Sequence, residues 1–330
     1  MDNLTHTLVG VALSRSGLGK YSPRAGLLLI IAANIPDIDM VSMIHGQLRG
    51  LEIHRGYTHS LIGLPFMAAL AVALTALFSR RKLRWRMAWL IACAGVGSHL
   101  LLDWSMSYGI RLFLPFSSRW LYLDLFSLTD WVMLAVLLLA LAAPLLNRLV
   151  SDEIGSRRGS GRGFALAALV LFVAYGGFRE LLHQRALSQL QSRVYPDLGA
   201  PLQLAALPNS LNPFSWRGIV QGEHAYRLYT VPALGQFDPS GRATLYQSPW
   251  SPALKAASDT PQFRYVLYFS RFPYWQKDPI PNEQQLQLVT MTDLRYGMPG
   301  QSFVTIRALV DSQNRVHDIG IGPGALASDR

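Results

Sequence analysis

A histidine and a carboxylate four residues apart, in Gly97-Ser98-His99-Leu100-Leu101-Leu102-Asp103-Trp104, lie one helical turn apart on one face, so both can address a single cation. Asn34-Ile35-Pro36-Asp37-Ile38-Asp39 sets two carboxylates two residues apart behind a proline that stops a helix. Such a pair binds or bridges hard and borderline cations, although Asp37 can equally cap the helix break while Asp39 ligates. His54-Arg55-Gly56-Tyr57-Thr58-His59-Ser60 adds two histidines in a compact loop. Thr58 and Ser60 are available behind them as donors, and Arg55 is suited to a bidentate grip on a phosphoryl group. His6 stands alone in the apolar stretch Leu4-Thr5-His6-Thr7-Leu8, and Asp124 and Asp130 each precede a long apolar run. Either aspartate can cap the helix that follows; Asp124, deeper in its loop, is the better site residue. The candidate ligands are therefore His6, Asp39, His54, His59, His99, Asp103 and Asp124, and the candidate catalytic groups are Asp37, Asp39 and Arg55, with a carboxylate as general base. This donor set favours Zn²⁺, one to three ions, and also accepts Mn²⁺ or Fe²⁺.

These groups are conspicuous because of where they sit. Before residue 151 the acidic residues are only Asp2, Asp37, Asp39, Glu52, Asp103, Asp124 and Asp130, in a region dominated by long apolar runs. Leu61 to Phe78, Met87 to Trp104, Leu128 to Leu146 and Phe164 to Leu182 are each long enough to cross a hydrocarbon core of about 30 Å. Arg24 to His45 is a fifth span, broken by the Asp37 motif, and Leu4 to Leu18 is a shorter helix, shallow or re-entrant. With no basic region ahead of it, Leu4 to Leu18 is expected to stay in the mature protein. Ionisable groups at membrane depth cost a few kcal/mol or more each and are rarely incidental.

Loop charge sets the orientation. Arg15, Lys20 and Arg24, then Arg80, Arg81, Lys82, Arg84 and Arg86, then Arg148, Arg157, Arg158 and Arg162 occupy one set of loops. The alternate loops hold Arg49, Arg55, Arg111 and Arg119. The first set is expected in the cytoplasm, which gathers every candidate ligand at the opposite face. The same asymmetry accounts for most of the net charge of +10, so no nucleic-acid partner is implied. One cysteine excludes a disulfide scaffold and a cysteine zinc ribbon.

After residue 182 the composition changes: 14 of the 19 prolines lie there, and strand signals replace apolar runs. A polar helix over about 183–194 is expected, then β-rich runs at Arg264 to Arg271, Gln285 to Thr292 and Ser302 to Val310, with a turn at Ser312-Gln313-Asn314 leading into Arg315 to Ile321. The fold class is thus an α-helical polytopic membrane domain over 1–182, with about five spans plus the short N-terminal helix. A mostly antiparallel β, α+β extramembrane domain over 183–330 follows it, on the periplasmic side. Its many aromatics, Tyr265 to Trp275 above all, suit either a wall guiding substrate or an ordinary β core. His45, His183, His224 and His317 are scattered and read as ordinary polar residues.

Asp2 to Gly10, Asn34 to Asp39, His54 to Ser60, Ser98 to Trp104 and the Tyr108 to Phe116 loop occur in an order that resembles the YdjM/YbcI-like family of bacterial inner-membrane proteins, regarded as metal-dependent hydrolases. The resemblance extends to Asn212-Pro213-Phe214-Ser215-Trp216-Arg217 and Asp293-Leu294-Arg295-Tyr296. A more distant similarity, to the zinc-dependent phospholipase C and P1 nuclease group, rests on the order His6, Asp39, His54 or His59, then His99 with Asp103. The mature N-terminal Trp and later His-x-x-x-Glu pair of that group have no counterpart here before residue 183. The expected activity is hydrolysis of a lipid or lipid-linked phosphoester at the membrane surface. The rival readings are a transporter or ion pathway built on the Asp and His cluster, and a non-catalytic membrane scaffold.

Overall fold

The computed structural model describes residues 1–322 apart from 81, 155–160, 197, 241 and 281–284. Arg81, Arg157 and Arg158, which enter the charge asymmetry, lie outside the described residues.

The helical half begins with α1, Asn3–Arg15, capped by the Asp2 carboxylate, which accepts from the Thr5 N–H. Next come α2, Ala25–Ala32, a 3-10 helix over Ile35–His45 with Pro36 at its start, α3, Gln47–Ile53, and a short 3-10 turn over Tyr57–His59. Helices α4, Gly63–Leu77, α5, Trp85–Trp104, α6, Trp131–Ile154, and α7, Arg162–Gln191, complete this half. Two of them, α5 and α7, are long and apolar enough to cross a membrane. Up to four spans result if each bent pair counts as one: α2 with the 3-10 helix, bent by 43°, and Gln47–His59 with α4, bent by 88°. Among the described residues two to four candidate spans are found where five are expected; two apolar runs are sharply bent, and the described apolar part of α6 covers Trp131–Pro144.

Small residues bring α1, α2 and α5 close. A Cβ on Gly10 would stand 2.8 Å from the Leu29 carbonyl oxygen, and one on Gly95 would stand 2.8 Å from the Ala32 Cβ. Leu28, Leu29, Ala32, Ala68, Ala92 and Val96 fill the space between α2, α4 and α5.

No break falls at residue 182. Helix α7 runs through it to Gln191, so the expected polar helix is the end of a longer one, whose Leu182, Ala186 and Leu190 pack against Trp216 and Tyr229. Two antiparallel four-stranded sheets follow. The first joins β1, Gln203–Pro208, β2, Ser215–Gln221, β3, Ala225–Pro232, and β4, Arg242–Tyr246. The second joins β5, Pro273–Pro279, β6, Leu286–Asp293, β7, Thr305–Asp311, and β8, Val316–Ile321. Between them lie α8, Pro252–Ser258, and α9, Pro261–Phe269.

Helix α9 corrects the strand expected over Arg264 to Arg271. Thr260 caps it, Pro261 supplies a preset first turn, and Phe263, Val266 and Phe269 are buried at a spacing of three. That spacing is helical, and it overrides the β propensity of Tyr265, Val266 and Tyr268.

Candidate metal centre

Helix α5 presents His99 and Asp103 inward, one turn apart and both fully buried. The two 3-10 segments bring Asp37 and His59 up to them, forming a group of four potential ligands. His99 Nδ1 lies 2.7 Å from the Ala33 carbonyl oxygen, which can only accept, so Nδ1 carries a proton and Nε2 is the atom turned toward the centre. On His59, Nδ1 faces Thr58 Oγ1 at 2.9 Å, and that hydroxyl's own proton goes to Asp39. His59 Nδ1 is therefore a donor, and its Nε2 is the atom that faces the cluster.

The two Nε2 atoms stand 3.1 Å apart. His59 Nε2 is 3.4 Å from Asp37 Oδ1 and 3.4 Å from Asp103 Oδ2; His99 Nε2 is 3.7 Å and 3.4 Å from the same oxygens. Two ring nitrogens and two carboxylates converge on one buried point, an arrangement that a cation or protons must hold together. Asp103 Oδ2 has no hydrogen-bond partner, nor has either ring nitrogen of His6. His6 stacks on His99 with ring centroids 3.9 Å apart, its Nε2 3.4 Å from Asp103 Oδ1. These orphaned atoms fit a divalent cation, the group that His and carboxylate ligands in a buried pocket are suited to hold.

Asp39 is the hub behind the cluster. Its carboxylate accepts from the Arg55 backbone N–H at 3.0 Å and from the Thr58 hydroxyl, and it lies 2.8 Å from His54 Nδ1 and 3.3 Å from His59 Nδ1. With Asp37 and His54 it forms a second, smaller group of possible ligands. Arg55, buried and in the left-handed region at φ 57°, directs Nη2 to Asp103 Oδ1 at 3.1 Å and Nη1 to the Gly109 carbonyl at 3.2 Å. Its Nε has no partner. The Met1 amino nitrogen also donates to Asp103.

Sequence reasoning thus named His6, Asp37, Asp39, His54, Arg55, His59, His99 and Asp103, and the fold brings all eight together. It does not bring Asp124. That carboxylate is gripped by Arg271 Nη1 at 2.8 and 2.9 Å, under a guanidinium that also lies over Tyr122, and it belongs to neither ligand group. The metal role expected of Asp124 finds no support in this geometry, because the carboxylate stands apart from both ligand groups and is held there by Arg271. Asp130 is the cap of α6, accepting from the Met133 N–H at 3.0 Å. His45 and His224 are exposed, His183 packs on Trp216, and His317 pairs with Asp311. The Ala33 carbonyl, which accepts from His99 Nδ1, leaves no side-chain signal in the sequence.

The sheets close over this end of the helices. Arg295 Nη1 donates to the Ser107 carbonyl, Tyr265 to the Glu52 carbonyl, Tyr268 to that of Ser118, and Arg179 on α7 to that of Pro213. Tyr108, Trp120, Phe269 and Tyr296 form one aromatic cluster, and Arg55 lies over the Tyr108 ring at 4.5 Å. Burial pushes the Tyr108 phenol up to about 12, so it stays protonated as a donor.

A membrane protein with a buried Asp and His cluster able to hold a metal ion is what the fold and the site define. The family described as YdjM inner membrane protein matches residues 1–186, more than half of the sequence, and the chain belongs to that family. The chain is also similar to a protein of Bacillus subtilis (strain 168) described as "Uncharacterized protein YfhP". The two are 23% identical over 321 residues, which cover 93% of this chain and 90% of that one. No solved structure matches the chain. The more distant resemblance to the phospholipase C and P1 nuclease group is not supported by these matches.

Proposed function

We propose that the chain is a membrane-bound, metal-dependent hydrolase, a phosphoesterase acting on a lipid or lipid-linked substrate at the periplasmic face of a bacterial inner membrane. The observation that carries this reading is the facing set His59 Nε2, His99 Nε2, Asp37 Oδ1 and Asp103 Oδ2. The separations between its histidine nitrogens and the other atoms, 3.1 to 3.7 Å, bracket the edge of about 3.3 Å that a tetrahedral site with bonds of about 2.0–2.1 Å requires. Zinc suits these donors, and Mn²⁺ or Fe²⁺ share them. A divalent cation held there supplies Lewis-acid polarisation of a phosphoryl oxygen and a water of lowered pKa.

The chain supplies the rest. Asp39 holds the His59 and His54 rings in place. Because its oxygens already take several donors, Asp37 is the carboxylate left to accept a proton. Arg55 braces Asp103 and keeps an unpartnered Nε for a substrate oxygen. Exposed Tyr57, Leu61, Phe113 and Phe116 near the site favour a substrate presented by a lipid surface. The periplasmic side, and residues 183–330 as a domain on it, rest on the loop-charge asymmetry.

The test is elemental mass spectrometry of the detergent-purified chain, wild type against His99→Ala plus Asp103→Ala. About one to three ions per chain, lost in the variant while circular dichroism stays unchanged, is the expected result. Wild type that stays metal-free after reconstitution with Zn²⁺, Mn²⁺ and Fe²⁺ overturns the reading.

A further inference from the structure

We infer that the chain has a second ligand site, a pocket for a small amphipathic anion between the loop after α5 and the two sheets. A cavity of about 180 Å³ lies there, walled by Ser107 and Tyr108 of the loop, Arg217 of β2, and Arg295 and Tyr296 beyond β6. All but Ser107 come from three motifs singled out in the sequence that the metal cluster does not use. Tyr108 joins the two places, since its ring also carries the Arg55 guanidinium.

Two kinds of observation fix the chemistry of the occupant. Two hydroxyls on the wall, Ser107 Oγ and Tyr296 Oη, are buried without a hydrogen-bond partner. Buried orphan donors are rare in folded proteins and mark places where something polar is bound. The charge is also unbalanced. Arg217 and Arg295 both face the cavity, and the acidic group against them is Asp293, which Arg295 occupies through Nε at 2.9 Å and Nη2 at 2.8 Å. Arg217 gives Nη2 to the Arg295 carbonyl and, among the described residues, has no carboxylate besides the shared Asp293; burial holds it below the ordinary arginine value.

The remaining wall is apolar, with Met106, Phe126, Leu207 and Phe303 among its residues. A cavity well under the roughly 300–1,000 Å³ of sites for drug-sized ligands takes a small molecule. An anionic head, phosphate monoester or carboxylate, on a short apolar group satisfies the orphan hydroxyls, the Arg217 guanidinium and the apolar wall together.

The pocket stands independently of the metal reading, and its test keeps the two apart. Calorimetric titration uses the full-length, detergent-purified chain with chelator present, in wild type and in His99→Ala, which leaves the Arg55–Asp103 pair intact. The probes are hexyl phosphate, hexanoate, inorganic phosphate and hexanol. Saturable binding of hexyl phosphate or hexanoate is expected in both proteins, with inorganic phosphate weaker and hexanol silent; the stronger of the two acids identifies the head group. Arg217→Gln should weaken binding about tenfold or more, and Tyr296→Phe, which keeps the ring, several-fold. If Arg217→Gln fails to fold, Arg217→Lys and Tyr296→Phe decide. Equal affinity in all variants, loss only in His99→Ala, or no saturable binding because the cavity holds water alone overturns the proposal.

Discussion

Two regions of the chain, the Asp293 network of the second sheet and the histidine end of the helices, treat buried polar atoms differently. In the second sheet, the buried Asp293, Ser302 and Thr305 bond one another's backbone and side-chain groups or Arg295, and all are satisfied. In the helical half, orphaned atoms crowd one end: both His6 nitrogens, Asp103 Oδ2, Arg55 Nε and Ser107 Oγ. A network that satisfies its buried groups serves its own stability, whereas a place that leaves several open side by side is built to receive something. The sheets hold the loop that borders that place, and the helices hold the place itself.

This contrast can be broken by uncoupling stability from metal content. Phe263→Ala removes a buried ring from the second sheet's core and should cost about 3–5 kcal/mol, read by thermal unfolding in detergent, while bound metal stays at the wild-type level. A parallel fall in metal would show that the sheets help build the site rather than cover it. Asp103→Asn should do both: about 3 kcal/mol lost because Arg55 is left buried without its counter-charge, and metal lost as well.

Asp124→Asn should cost about 2 kcal/mol through the Arg271 pair and leave metal untouched; lost metal would restore Asp124 to the site. Asp39→Asn should leave the fold standing but weaken metal affinity about 10–100-fold by loosening the ring orientations, measured by competition with a chromophoric chelator. The smallest effect, about 1 kcal/mol, is expected for Thr260→Ala at the cap of α9; no change at all would argue against that cap.

The site was legible because its residues violate their surroundings. His6, Asp37, His59, His99 and Asp103 stand out of apolar runs, and the spacing of His99 and Asp103 needs only a helix to become a pair. The place of Asp124 was not legible because its partner Arg271 lies 147 residues away, a separation that no local pattern reports. In α9, the deciding cap and proline precede the aromatic stretch that read as strand. The end of α7 looked like a separate helix because its polarity changes where it leaves the apolar surroundings, yet no glycine or proline follows Gly177 until Pro196 to interrupt it. Strands β1 to β4 were passed over since their burial does not alternate strictly: β3 buries five consecutive residues.

Gly10 lies one turn beyond His6, and Gly95 one turn before His99. Each faces a backbone or methyl group too near to admit a side chain. A single methyl at either position would push one helix outward like a shim under a hinge, and the two stacked imidazoles would part although neither had been altered. The spacing of the cluster is therefore encoded at residues that carry no donor atom. A comparison of chains by their ligands alone would count as equivalent two proteins of which only one can close its ring of donors.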